Sequence, residues 1–169
     1  GIRDLVRSRG IGDVYKRQHQ YADGAANRTV TVTLTDEAGE TASDSFAVTV
    51  NNVAPTASVT GADTVDEGTS YTLNVGAVSD PGADTRTGYS INWGDGTVQN
   101  LTPAEWTTAA GSFTHTYADG GAGGTARTVT VSATDEDGTF VLGSRSLTVN
   151  NVALLIALAG APSIAERGS

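Results

Sequence analysis

"RTVTVSATDEDGTFVLGSRSLTV", residues 127–149, decides the fold class, because its apolar side chains return every second residue rather than every third or fourth. Period-two alternation is the pattern of a strand with one face buried and the other in water. The central "DEDG" reads as a turn, since aspartate binds nearby backbone N–H groups and glycine reaches backbone angles closed to other residues. The same phrase stands at 28–50 as "RTVTVTLTDEAGETASDSFAVTV", where Val30, Val32, Leu34, Phe46 and Val48 form one apolar face.

The duplication is wider than these two stretches. "HQYADG" from His19 returns as "HTYADG" from His115, an offset of 96 residues, and "NNVA" at 51–54 returns at 150–153, an offset of 99. The three extra residues fall in the Gly/Ala-rich run 120–126, a loop tip that lengthens at small entropic cost. A period of 99 residues is that of a small domain in tandem array rather than of a solenoid. The chain therefore divides into 19–54, the C-terminal half of one unit plus linker; 55–153, a complete unit; and 154–169, the start of a third. "NNVAP" is the hinge between units: asparagine tolerates turn geometry and Pro55 stiffens the way into the next strand. Residues 1–18, "GIRDLVRSRGIGDVYKRQ", match no part of the repeat and resemble a non-native, disordered scar of adapter or vector sequence, the alternative being a genuine basic arm or targeting segment, and are set apart from the fold.

That exclusion changes the electrostatics. The whole chain has 19 acidic and 10 basic residues; residues 1–18 hold two and five of these, leaving 17 against 5 in 19–169. A surface with that excess repels phosphate backbones, so nucleic-acid binding is not expected. It suits cations and solubility outside the cell. With no cysteine there is no disulfide framework, no thiol nucleophile and no thiolate metal site. The longest apolar run, "VALLIALAGA" at 152–161, is too short to span a bilayer, so no membrane insertion is expected, and it takes the place of a first strand in the third unit.

Within the complete unit, strands are expected at 55–60, 70–75, 88–93, 98–101, 112–117, 127–134 and 140–149, with Tyr71, Leu73 and Val75 on one face and Tyr89, Ile91 and Trp93 inward. Seven short strands in about 95 residues predict an all-β, antiparallel sandwich of two sheets. "TPAEWTTAA" at 102–110 has room for one helical turn at most.

"YSINWGDGT", "FTHTYADGG" and "RTVTVSATDEDG", taken in order and spacing, resemble the polycystic kidney disease (PKD) domain over essentially all of 55–149. Ile91, Asn92 and Trp93 stand where the family often carries Trp, Asp and Phe. The resemblance implies an Ig-like β-sandwich, used in tandem in extracellular and cell-surface proteins and beside the catalytic domains of secreted hydrolases, with no catalysis of its own.

The residues themselves point the same way. No nucleophile-elbow run such as G-x-S-x-G is present, and the two histidines, His19 and His115, are repeat equivalents whose alternation places His115 with Phe113 and Tyr117 as a structural side chain. Trp93 reads as core; Trp106, in a loop beside Glu105, reads as edge packing or, alternatively, as the one ring available for ligand contact. The acidic turns carry more information. In a sandwich the turns "SDPGAD" (Asp80, Asp84) and "DEDG" (Asp135, Glu136, Asp137) share the leading pole, facing Asp23, Asn51 and Asn52 of the preceding unit. Oxygen-only ligands gathered from loops are what Ca²⁺ requires, so these residues form a candidate Ca²⁺ site, against the plain alternative that Asp/Gly turns cap their own backbone. The expected function is a non-enzymatic extracellular spacer or adhesion module contacting a protein or carbohydrate ligand and its own neighbouring repeats. The alternative is an accessory substrate-binding module of a secreted hydrolase.

Overall fold

The computed structural model describes residues 18–24 and 26–154; the segment 1–17 and the third unit beyond Leu154 lie outside the described residues. Among those described, the chain is mostly β, with ten strands and one short helix. Strands β1 (Ala26–Thr35) and β2 (Thr41–Val50) pair antiparallel from Ala26↔Val50 to Thr35↔Thr41 and form a two-stranded sheet of their own. The turn between them closes through the Asp36 carboxylate, which accepts a hydrogen bond from the Glu40 N–H at 2.8 Å.

Beyond Pro55 follow β3 (Val59–Gly61), β4 (Thr64–Asp66), β5 (Ser70–Val75), β6 (Gly88–Asn92), β7 (Val98–Leu101), α1 (Pro103–Ala109), β8 (Ser112–Thr116), β9 (Thr125–Thr134) and β10 (Thr139–Asn150). They build a five-stranded sheet in the order β4-β10-β9-β6-β7 and a three-stranded sheet in the order β3-β5-β8. Alternation explains the core: Tyr71, Leu73 and Val75 point from β5 and Phe113 from β8, meeting Ile91, Val129, Val131 and Val149 of the larger sheet in one buried cluster. Trp93, 1% exposed, sits among them just past β6. The result is sandwich-like, with apolar faces inward and threonine-rich faces outward. The duplication is visible in the bounds, since β9 lies 99 residues after β1 at both ends.

Three details depart from the sequence expectation. The unit after Pro55 has eight strands, not seven, because the stretch expected as one strand at 55–60 contributes only the three-residue β3 plus an isolated Thr56↔Ser79 bridge, while β4 appears separately. The sheet is not wholly antiparallel: β4 pairs parallel to the end of β10 through Thr64↔Thr148, Val65↔Val149 and Asp66↔Asn150. The segment 102–110 holds about two helical turns, the seven residues of α1, rather than one. Its stability is local, from a capping box in which the Thr102 side chain accepts from the Glu105 N–H and the Glu105 carboxylate accepts from the Thr102 N–H.

The trailing pole is held by a polar cluster. The Trp93–Thr97 turn places Asp95 2.7 Å from His115 Nε2, and the His115 ring stacks on Trp93 with centroids 4.8 Å apart. Tyr117 donates its hydroxyl hydrogen to the buried Trp93 carbonyl at 3.0 Å. Burial pushes the Asp95 carboxyl up, but the bonds from His115 and Thr97 outweigh it and hold the group below the usual carboxylate range. Gly94, at φ 81°, is required here: a Cβ would lie 2.6 Å from the Thr128 carbonyl oxygen. His115 thus stands half-buried on the same face as Phe113 and Tyr117, the placement its alternation predicts.

Candidate metal centre at the repeat joint

The link between the first hairpin and the following unit is short and direct. Ala83 donates its N–H to the Ala22 carbonyl at 2.8 Å, so the "SDPGAD" loop docks on the segment that leads into β1. Gly24 packs on the chain leaving β2, where a Cβ would lie 2.6 Å from Asn52 Cα and 2.8 Å from the Asn51 carbonyl oxygen. Its repeat equivalent Gly120 packs in the same way on Asn150, with a Cβ 2.6 Å from the Asn150 carbonyl carbon. The twice-written "YADG" and "NN" therefore share a physical cause: a glycine without a side chain lets two strands of chain cross at van der Waals distance.

Two overlapping acidic triads lie at this joint. Carboxylate oxygens of Asp23, Asp84 and Asp137 lie within 4.8 Å of one another, as do those of Asp80, Asp84 and Asp135. Asp84 belongs to both. Each of its neighbours within the turns uses one oxygen locally. Asp80 Oδ1 accepts from the Gly82 N–H at 3.2 Å, and Asp135 Oδ1 accepts from the N–H groups of Asp137 and Gly138 at 2.9 and 3.0 Å. The second oxygens, Asp80 Oδ2 and Asp135 Oδ2, are buried without a hydrogen-bond partner among the described residues, and so are both oxygens of Asp84. Asp135 is only 6% exposed. Buried charged acceptors without donors are costly, and in folded proteins such a group is met by a proton, an ordered water or a cation.

Part of that charge comes from Arg86, whose guanidinium lies 3.7 Å from Asp80 Oδ2. Among the described residues, one cation against five aspartates and Glu136 leaves the joint strongly negative. The consequence is visible in proton affinity. Loss of hydration, then the charges of Asp80, Asp23, Glu136 and Asp135, push the Asp84 carboxyl up to about 6. Loss of hydration and the charges of Asp23, Asp135 and Glu136 also raise Asp137. Gly82 makes the crowding sterically feasible, since a Cβ there would lie 2.6 Å from Asp84 Oδ2.

The donor set fits a hard divalent cation. Ca²⁺ takes 6 to 8 oxygens at about 2.3–2.6 Å, so two ligands of one ion lie no more than about 5 Å apart, and the oxygens of each triad lie within 4.8 Å of one another. The carboxylates of either triad would provide the anionic part of such a shell, Asp84 being common to both. Asn51 and Asn52 meet the joint through backbone packing on Gly24. Asn150, the repeat equivalent of Asn51, donates its side-chain amide to Asp66 of its own unit at 3.0 Å.

Arg86, Gly82 and Glu136 also shape the site, and of these the sequence reading names only Glu136, as part of its acidic turn. Arg86 and Glu136 stand beside the named aspartates; the Glu136 carboxylate accepts from the Thr85 N–H at 2.8 Å and ties the two turns together. Gly82 was legible in principle, because a glycine between two aspartates marks a close approach. Trp106 lies on α1 rather than in a loop, partly buried, its ring stacked on Tyr89 at 4.1 Å and tilted against Phe113 at 4.9 Å. It packs on the sheet edge.

No protein-family model matches the chain, and no curated protein matches it.

Proposed function

We propose that the chain is part of a tandem-repeat extracellular spacer or adhesion protein, built from PKD-type, Ig-like sandwich units without catalytic activity, in which Ca²⁺ at the joint sets the angle between consecutive units. One observation carries this reading: Asp23 precedes the hinge, Asp80, Asp84, Asp135 and Asp137 follow it, and their carboxylates meet in two triads that share Asp84, with four buried oxygens that accept no hydrogen bond among the described residues. A cation there supplies the missing charge and ties the two sides of the hinge together. Without it, the carboxylates repel and the Ala83–Ala22 hydrogen bond stands against that repulsion. A rigid string of units holds a terminal binding surface for a protein or carbohydrate ligand away from the cell. The stacking of Trp106 on Tyr89 supports the spacer over a carbohydrate platform in a hydrolase accessory module, because such platforms present their rings outward.

The test is thermal melting of the full chain against Ca²⁺ and Mg²⁺. A site with a dissociation constant of about 10⁻⁴ to 10⁻³ M stabilises the folded state by about 1.4–2.7 kcal/mol at 10 mM ligand. Ca²⁺ should raise the melting temperature, Mg²⁺ much less, and the joint Asp135→Asn, Asp137→Asn variant should lose the Ca²⁺ response. Equal responses to both ions in wild type and variant, as charge screening alone gives, would overturn the reading.

A further inference from the structure

The β1–β2 hairpin carries an apolar face with no cover among the described residues: Val32, Leu34 and Phe46 are 54%, 65% and 59% exposed. Their repeat equivalents, 99 residues on, are Val131, Ala133 and Arg145. Val131 and Ala133 are fully buried in the core that includes Tyr71, Leu73 and Phe113. Among the described residues the hairpin's edge is open as well. β9 pairs on one side with β10 and on the other with β6, whereas β1 pairs with β2 alone. A third feature is half-built. His19 and Tyr21 meet edge to face at 4.5 Å and 87°, matching His115 and Tyr117 at 4.7 Å and 87°. His115 also stacks on Trp93 and binds Asp95, while His19 is exposed.

We propose that this face and edge form a docking surface for a half-unit built like residues 55–114, supplied by the polypeptide joined ahead of His19. The inference rests on the tandem-repeat reading and specifies what the first hairpin binds. The internal repeat identifies the occupant: strands like β5 and β8 cover the face, a strand like β6 pairs with the free edge of β1, and a turn like Trp93–Thr97 receives His19. The occupant is a relative of 55–114 and not a copy of it. Leu34 stands where Ala133 faces Tyr89 across β6 and β9, so the occupant carries a smaller residue at the position of Tyr89. Phe46 stands where Arg145 pairs with Asp63, so the occupant carries no acid at the position of Asp63.

The experiment compares amide hydrogen exchange over 26–50 in three chains: the chain as it stands, the chain with 55–114 duplicated in place of 1–18 and fused to His19, and the same fusion with Asp63→Val and Tyr89→Ala in the added copy. A lone two-stranded hairpin is marginally stable at best, so the first chain should exchange fast at every protein concentration. The second fusion should slow the β1 and β2 amides by about 100-fold or more, with the first fusion between them. Unchanged exchange in both fusions overturns the proposal. So does protection in the unfused chain that grows with concentration, because the occupant is then a second copy. The Ca²⁺ response of the melt is read in the same samples and belongs to the joint. Its loss with hairpin protection intact would count against the Ca²⁺ reading and leave this one standing.

Discussion

Replacing Trp93 with alanine tests the sandwich at its centre. The ring is 1% exposed, stacks on His115 and lies in the core with Ile91 and Val129. A tryptophan buries about 150–250 Å², which at about 25 cal/mol per Å² amounts to roughly 4–6 kcal/mol, and measured truncations of buried aromatics cost about 3–5 kcal/mol. The substitution spares the backbone, so the Trp93 carbonyl still accepts from Tyr117 and the loss is that of the ring alone. For a unit of this size, such a loss lowers the melting temperature by about 15 °C or more. The assay is urea and thermal unfolding followed by far-ultraviolet circular dichroism and by the fluorescence of Trp106, which becomes the single tryptophan of the variant. A loss below about 1 kcal/mol, with Trp106 emission unchanged, would refute the placement of Trp93 between the sheets and with it the register of β6.

Other outcomes follow from single positions. Gly82→Ala should push the Asp84 carboxylate out of the joint and weaken Ca²⁺ binding in calorimetry, while unfolding measured without cation changes little, because only the end of a side chain must move. Gly94→Ala should cost about 2 kcal/mol or more in urea unfolding, since it combines a left-handed backbone with a clash against the Thr128 carbonyl. The pH dependence has a definite sign. Asp84 titrates near 6 when folded and near 3.9 when unfolded, so the folded state holds that proton more tightly. Its contribution is most favourable below about pH 4 and is lost as pH rises through 6. The cation-free chain should therefore melt higher at pH 5.5 than at 7.5. With Ca²⁺ the order should reverse, because bound carboxylates must be deprotonated. Asp95 acts oppositely: its depressed pKa stabilises the fold above about pH 4, and that contribution disappears as pH falls further.

What could be read from the sequence followed the length of each alternating run. β5, β6, β7, β8 and β9 repeat the period-two pattern over four to ten residues, enough to mark strand and inward face together. β4 has three residues and pairs along the outer edge of a sheet, so neither periodicity nor burial betrays it. α1 is too short for a helical period, yet its Thr102-x-x-Glu105 capping box was a usable local sign. At the joint, the aspartates were legible because the repeat says which turn of one unit meets which end of the next. The partners that tune them were not. Arg86 reaches Asp80 only once the loop folds back, and Asp135 is buried while its repeat equivalent Asp36 is exposed, because only the complete unit carries the 80–87 loop that packs against that turn. Burial of a turn carboxylate is thus a tertiary property that a single hairpin does not encode.

The most direct measurement is isothermal titration calorimetry of Ca²⁺ into the full chain at pH 6, in two buffers of different ionisation enthalpy. Binding is expected at about 10⁻⁴ to 10⁻³ M, with proton release to the buffer as the cation displaces the Asp84 proton. Asp84→Asn should remove both the binding and the release. Absence of binding heat at millimolar Ca²⁺, or binding unchanged in Asp84→Asn, would contradict a Ca²⁺ site at the joint.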